Sequence, residues 1–288
     1  MFNPAYLMYL GTLIALFAIM GLSFNLLRGF TGLLNLGHTG FILIGAYTSI
    51  LLQRNLGVPL ILAWVAGAIA GAIAGIVISI LTRRGKGDVV VGVMTLWFMI
   101  VLVVIALSWV EVTRGALGIV GIPRPTGFES PLRFLTFSLA VLAVVYAFLH
   151  RVTKSPFGRV LGAVRDDELG AQTLGKNALK ARMVSFMIGG GIAGLSGGLF
   201  GMFFRYIDPS SFYIAQIVAI VAIAYVGGLA SLPGTLLGTV IVVLAPEFLR
   251  FLPFDPEAVG AMRQIVFSVL VLAVLLWFPK GVMGKIES

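Results

Sequence analysis

Asn35 and His38 lie in an otherwise apolar, glycine-rich stretch, TGLLNLGHTGFILIGAY, at residues 31–47. An amide and an imidazole can both donate and accept hydrogen bonds. Glycines at this density break regular helix and leave backbone groups in need of partners. The pattern predicts that these two side chains either hold an interrupted helix together or contact a passing ligand.

Patterns typical of catalysis do not accompany these residues. The chain has no cysteine and two histidines, and it shows neither a Ser-His-Asp arrangement, nor paired buried carboxylates, nor a cluster of metal ligands. A GxxxxGK[ST] phosphate loop is missing as well, because Gly85–Lys86 lacks both the spacing and the hydroxyl. We therefore expect a chain without enzyme activity, without its own cofactor and without a metal site.

The amino-acid composition predicts which kind of secondary structure surrounds residues 31–47. Hydrophobic residues make up 59% of the 288-residue chain and charged residues 11%, whereas soluble domains carry roughly 25% charged residues. Several uncharged runs reach the roughly 20 residues that a helix needs to cross a bilayer. The sequence predicts an all-α polytopic membrane protein of eight or nine transmembrane helices, one of them interrupted near residues 30–40. The predicted helices are 5–27, 34–52, 58–82, 89–110, 132–150, 183–204, 212–228, 234–250 and 262–279.

The charge distribution predicts the orientation and the organisation of the chain. We expect a single transmembrane domain, residues 1–288, in the cell inner (plasma) membrane, with the N-terminus outside. Most of the 20 Lys and Arg residues then fall inside, as the positive-inside rule requires. A nucleic-acid partner is not expected, since a basic stripe on a soluble face is missing. The glycine- and proline-rich segment 111–131 is then periplasmic, and the segment 151–182, here called the coupling segment, is cytoplasmic.

The coupling segment carries the signals of a short amphipathic helix. Ser155 followed by Pro156 is typical of a helix start, and the acidic residues 166–168 suit a helix N-terminus. Leu169, Ala171 and Leu174 follow at helical spacing, and Gly175 can end the helix in a left-handed conformation. The alternative is a solvated loop on anionic lipid, but three consecutive acids favour a docking element for a soluble partner.

Two further patterns concern the helices themselves. Glycines spaced by four residues at Gly67, Gly71 and Gly75, and again at 190, 194 and 198, predict close helix packing, either within one chain or between subunits. The segments GLLNL (32–36) and GLASL (228–232) resemble each other, which is consistent with a repeat that places interrupted helices at matching points.

Several motifs resemble those of the LivM-type permease subunit of ABC importers for branched-chain amino acids. They are GLSFNLLRGFTGLLNLGHTGFILIGAYTSILL (21–52), GALGIVGIPRP (115–125), SPFGRVLGAVRDDELGAQTLGKN (155–177), DPSSF (208–212) and GGLASLPGTLLG (227–238). Together these motifs extend over most of the chain. The resemblance implies a permease that works with a second homologous permease chain, two cytoplasmic ATPase subunits that bind ATP and Mg²⁺, and a periplasmic substrate-binding protein.

The pattern and the resemblance together predict two sites and leave three functions open. The expected cargo is a branched-chain or related hydrophobic amino acid; import of urea or short-chain amides is the alternative within the family, and an ion-coupled secondary transporter is the alternative outside it. Carboxylates at helix ends rather than within the bilayer argue against proton coupling. The predicted translocation path comprises Gly32, Asn35, Gly37, His38 and Gly40. The predicted contacts to the ATPase are Arg165, Asp166, Asp167, Glu168, Ala171 and Gly175.

Overall fold

The fold is that of a computed structural model, which describes residues 3–85, 87–124, 127–247 and 281–284. Seven further residues are described near the C-terminus: Met262, Ile265, Val266, Ser268, Val269, Leu272 and Leu276. The predicted helix 262–279 and the end of the predicted helix 234–250 lie largely outside these residues.

The described chain is almost entirely helical. Its helices are α1 Pro4–Asn25, α2 His38–Leu56, α3 Leu60–Thr82, α4 Asp88–Ser108, α5 Val110–Thr113, α6 Pro131–Lys154, α7 Pro156–Asp166, α8 Glu168–Thr173, α9 Ala178–Phe204, α10 Ile214–Gly227 and α11 Leu232–Leu244. A π-helix, Leu26–Phe30, extends α1, and 3₁₀ turns occupy Gly115–Leu117 and Pro209–Phe212. Two short strands, β1 Ile119–Val120 and β2 Tyr206–Ile207, pair antiparallel.

Six of the described helices are long and apolar enough to cross a membrane. This confirms the predicted class of an all-α polytopic membrane protein. The predicted count of eight or nine is not reached within the described residues. Helix α11 is shorter than a membrane-spanning helix, and α2 is less apolar because its last turn contains the polar run Gln53-Arg54-Asn55. The interrupted helix is found, but α2 begins at His38 rather than at residue 34, since residues 32–37 are not helical.

Helices α2, α3 and α9 form the tightly packed centre of the molecule. A Cβ atom added at Gly71 would collide with the backbone of Gly190, and one at Gly45 would collide with the backbone of Gly194. Only glycine allows helices to approach so closely, and in lipid this contact replaces the water exclusion that holds soluble helices together. The glycine seams therefore lie within one chain, which is the first of the two predicted alternatives.

Two groups of contacts define the ends of the helix bundle. At one end β1, which follows α5, pairs with β2, which follows α9. At the other end the π-helix, the start of α4 and the coupling segment meet, with Arg28 bonded to Asp88 and Arg182 to Glu168. Since this second end is the one predicted to be cytoplasmic, it is called the inner end below.

Candidate functional site

The connection between α2 and the π-helix that extends α1 is an irregular segment, residues 32–37, here called the first break. Gly32 adopts a positive φ of 78°, a conformation that costs glycine little. The Thr31 hydroxyl donates to the Leu26 carbonyl oxygen at 3.0 Å, and Arg28 Nη1 donates to the Gly32 carbonyl oxygen at 3.3 Å. Side chains thus satisfy carbonyl groups that an unbroken helix would have satisfied itself.

Asn35 and His38 close the first break onto α1. Both side chains are fully buried. Asn35 Nδ2 lies 3.2 Å from His38 Nδ1, and His38 Nε2 lies 2.8 Å from the Ser23 hydroxyl, which donates to the Met20 carbonyl oxygen at 2.8 Å. A consistent proton assignment has Asn35 donating to Nδ1 and Nε2–H donating to Ser23, which describes a neutral imidazole.

A second irregular connection, residues 228–231 between α10 and α11, is held by Asn25 and is here called the second break. Asn25 Nδ2 lies 3.3 Å from the Gly228 carbonyl oxygen, 3.2 Å from that of Ser231 and 2.6 Å from the Thr235 hydroxyl. Its Oδ1 accepts from the Ala230 backbone N–H at 3.1 Å. One fully buried amide therefore contacts the backbone on both sides of this break.

The two breaks are neighbours in space. A Cβ atom added at Gly29 would lie 3.1 Å from Ala230 Cα, so the π-helix and the second break are in direct contact. The similar segments GLLNL and GLASL therefore both connect two helices. GLASL is hydrogen-bonded to Asn25 in the last turn of α1, and GLLNL is hydrogen-bonded to Leu27 and Arg28 in the π-helix that extends α1. Sequence reasoning identified the similarity but missed Asn25; its polar side chain in the uncharged run 1–27 was the available signal.

The coupling segment forms two helices rather than the single helix predicted. Ser155 caps α7, accepting from the Gly158 N–H at 3.3 Å, and Asp167 caps α8, accepting from the Gly170 N–H at 3.0 Å. Gly175 follows α8 with a φ of 75°. The predicted helix start, the acidic N-terminus and the terminating glycine are confirmed, and Asp167 separates the two helices.

Only part of the predicted apolar face of the coupling segment is buried. Ala171 is 3% exposed, whereas Leu169 is 74% and Leu174 is 78% exposed. Glu168 is paired with Arg182 at the start of α9, so it serves within the chain. Leu169 and Leu174 are thus exposed apolar side chains on this segment, although the sequence pattern grouped them with the buried Ala171.

Arg165 connects the coupling segment to the first break. Its Nη1 donates to the Gly29 carbonyl oxygen at 3.0 Å, and its Nη2 lies 2.7 Å from Asp166 Oδ1. A Cβ atom at Gly32 would lie 3.4 Å from Arg165 Cα, so the two backbones are close. Arg165 therefore joins α7 both to the π-helix, at Gly29, and to the first break, at Gly32.

The five residues predicted to line a translocation path are brought together around the first break. Asn35, Gly37, His38 and Gly40 are buried, and Gly32 is partly exposed. Gly37 lies against the backbone of Thr95 in α4. Asn35 Oδ1 is buried without a hydrogen-bond partner in the part of the chain that the structure describes. That these residues face a translocation path stays a prediction.

At the outer end Arg124 lies over the ring of Phe134, with the guanidinium carbon 5.0 Å from the ring centre. Burial lowers the pKa of Arg124 below its ordinary value, and the charge of neighbouring Arg205 lowers it further.

Within the described residues, His, Asp and Glu side chains form no group of three or more that could hold a metal ion.

Comparison with known proteins gives a consistent result. The family model described as "branched-chain amino acid transport system / permease component" matches residues 6–275. The chain is 28% identical over 301 aligned positions to the high-affinity branched-chain amino acid transport system permease protein LivM of Escherichia coli (strain K12), covering 95% of this chain and 69% of that protein.

Two further similarities extend over most of the chain. The probable branched-chain amino acid transport permease protein LivH of Methanocaldococcus jannaschii is 25% identical over 93% of this chain and 89% of its own length. Among solved structures, a chain of PsaBC from Streptococcus pneumoniae in complex with Fab superposes with a TM-score of 0.55 at 15% identity, covering 96% of this chain and 93% of that chain. At this identity the structural likeness concerns the fold.

Proposed function

This chain belongs to the family of permease components of branched-chain amino acid transport systems, and from that premise we propose that it is the translocating subunit of an ATP-driven importer. Its place is the cell inner membrane, which it crosses several times. The cargo that we propose is a branched-chain amino acid, because the relatives named above carry that substrate in their names.

The hydrogen bond from Arg165 to the Gly29 carbonyl oxygen is the observation that carries the proposal. An imported solute needs a path that opens and closes, and ATP hydrolysis takes place outside the bilayer. A transporter therefore requires a mechanical connection from a cytoplasmic docking element to a mobile part of the membrane domain. The coupling segment and the first break, joined through Arg165, supply the two parts of such a connection.

The family implies the partners, and the surface of the coupling segment supports one of them, an ATPase subunit. Leu169 and Leu174 expose apolar side chains beneath the membrane, and apolar groups in water favour a protein partner. We propose that a groove on an ATPase subunit covers them. That subunit and a second ATPase subunit bind ATP and Mg²⁺, a homologous permease chain completes the membrane domain, and a periplasmic binding protein delivers the cargo.

The path that we propose runs past the first break. Backbone carbonyl oxygens that are free of helical hydrogen bonds can accept hydrogen bonds from the ammonium group of an amino acid when the path opens. The Asn35 Oδ1 atom, which has no partner among the described residues, can do the same. The surrounding helices are apolar, which suits an aliphatic side chain. In this proposal ATP and Mg²⁺ bind to the ATPase subunits and not to this chain.

Uptake into proteoliposomes tests the proposal. The complete transporter, reconstituted with its binding protein outside and ATP inside, is expected to accumulate radiolabelled leucine, with isoleucine and valine as competitors. Uptake that needs ATP and persists with ionophores that dissipate ion gradients supports the proposal. Uptake abolished by those ionophores would identify an ion-coupled transporter, and competition by urea or acetamide but not by valine would identify the amide-transporting alternative.

A further inference from the structure

A cavity of about 380 Å³ lies at the inner end, between the last turn of α3, the start of α4 and the first turns of α9. Its apolar wall is formed by side chains from these helices and from the first break, among them Leu33, Ile80 and Met183. Its rim carries the basic side chains of Arg83, Lys180 and Arg182. The cavity is therefore amphipathic, with the cations at the edge of the membrane domain.

Two of the cations at the rim have no ion-pair partner in the part of the chain that the structure describes. Arg182 is paired with Glu168, but Arg83 and Lys180 form no ion pair with any carboxylate of the described residues. Both residues are exposed. Basic groups at this depth meet the headgroups of the cytoplasmic leaflet, whose surface is negatively charged.

The apolar wall connects the cavity with the lipid-facing side of α3. Ile73, Val77 and Ile80 recur at helical spacing on that side and are 56%, 43% and 51% exposed. A molecule with its anionic group at Arg83 and Lys180 can therefore lay a hydrocarbon chain along α3 without crossing a polar barrier. A free phosphate ion would use the cations but would leave this wall uncovered.

We propose that this cavity binds the headgroup and the adjoining acyl segment of one anionic phospholipid of the inner leaflet. The lipid phosphate lies between Arg83 and Lys180, and the acyl chain follows Ile80 toward Val77. The bound lipid bridges α3 and α9 beside Leu33 of the first break and beside Arg182, which holds the coupling segment. The proposal is independent of which cargo the transporter carries.

Native mass spectrometry of the full-length chain in mild detergent tests the site. Dioleoylphosphatidylglycerol is titrated against dioleoylphosphatidylcholine, and the dissociation constant of the first adduct is measured. The double variant R83Q/K180Q is expected to bind phosphatidylglycerol more weakly by about fivefold for each charge removed. The matched control R84Q/K176Q removes the same charge from exposed residues that do not line the cavity, and it should change the constant less than twofold.

Three results would overturn the proposal. Equal weakening in both double variants would mean general attraction of the basic surface, and unchanged binding in R83Q/K180Q would place the lipid elsewhere. Displacement of the phosphatidylglycerol adduct by millimolar inorganic phosphate would identify an ion site without a lipid. Should the double variant fail to fold, the single variants R83Q and K180Q, each expected to lose about fivefold, decide the question.

Discussion

At the residue scale, one side chain, Asn25, makes three hydrogen bonds to the backbone of the second break. Asn25 contacts the backbone of Gly228, Ala230 and Ser231 from a fully buried position on α1. In a bilayer no water replaces a missing partner, so irregular backbone persists only where protein groups satisfy it. Asn25 is therefore as important for the shape of the inner end as the residues of the first break.

Replacement of Asn25 by alanine should destabilise the protein. The change leaves the Ala230 N–H and the carbonyl oxygens that Asn25 contacts without this partner, and each buried group left unsatisfied costs about 1–3 kcal/mol. A chain of this size loses about 2–4 °C in melting temperature per kcal/mol, which thermal unfolding in detergent can measure. Asn55, exposed at the end of α2, provides the matched control, and an equal effect of N55A would contradict the role given to Asn25.

The residues of the first break show what sequence alone can and cannot predict at this scale. Asn35 and His38 were identifiable because polar groups are rare in such apolar surroundings. Ser23, the partner of His38, was not, because serine is common in membrane helices and its hydrogen bond to His38 joins residues from two different helices. Asn25 was missed for a similar reason: its partners lie about 200 positions away in the chain.

At the element scale, the coupling segment was predictable where its structure is local. The cap at Ser155, the acidic start of α8 and the left-handed Gly175 follow from neighbouring residues, so their sequence signals were sufficient, whereas the division into two helices at Asp167 was not predicted. The contacts that orient the segment are distant in sequence. Arg165 bonds to Gly29 and Glu168 pairs with Arg182, and neither pairing follows from helix periodicity or composition.

The ion pair between Glu168 and Arg182 yields a prediction for this element. The variant E168K places two cations side by side and should lower leucine-stimulated ATP hydrolysis by the complete transporter about fivefold, the effect of losing a partly buried pair worth about 1 kcal/mol. The charge-swapped variant E168R/R182E should recover most of that stimulation. If the swap is as impaired as E168K, Glu168 acts on a partner subunit instead.

The glycine seam between α3 and α9 yields a second prediction at this scale. A Cβ atom at Gly71 collides with the backbone of Gly190, whereas one at Gly162 in α7 meets open space. Glycine to alanine favours an isolated helix by up to about 1 kcal/mol, while overpacking costs about 1–3 kcal/mol. G71A should therefore lower the melting temperature and G162A should leave it unchanged or raise it; a lower melting temperature in both would contradict the seam.

At the scale of the whole molecule, α1 is the common support of both breaks. Ser23 holds the first break and Asn25 the second, and the π-helix that continues α1 contacts both the second break and Arg165. The apolar helices themselves were predictable from uncharged runs and bilayer thickness. Their packing was not, because in lipid it is determined by close backbone contacts and a few hydrogen bonds rather than by an amphipathic pattern.

The number of leucine molecules imported per ATP hydrolysed tests the central claim, that the coupling segment drives the first break through Arg165. Both quantities are measured in the same proteoliposomes for the wild type, for R165Q and for the matched control R159Q, which removes an exposed charge from the same helix. R165Q should continue to hydrolyse ATP but import severalfold less leucine per ATP, whereas R159Q should match the wild type. An unchanged ratio in R165Q, or an equal fall in both variants, would contradict the account.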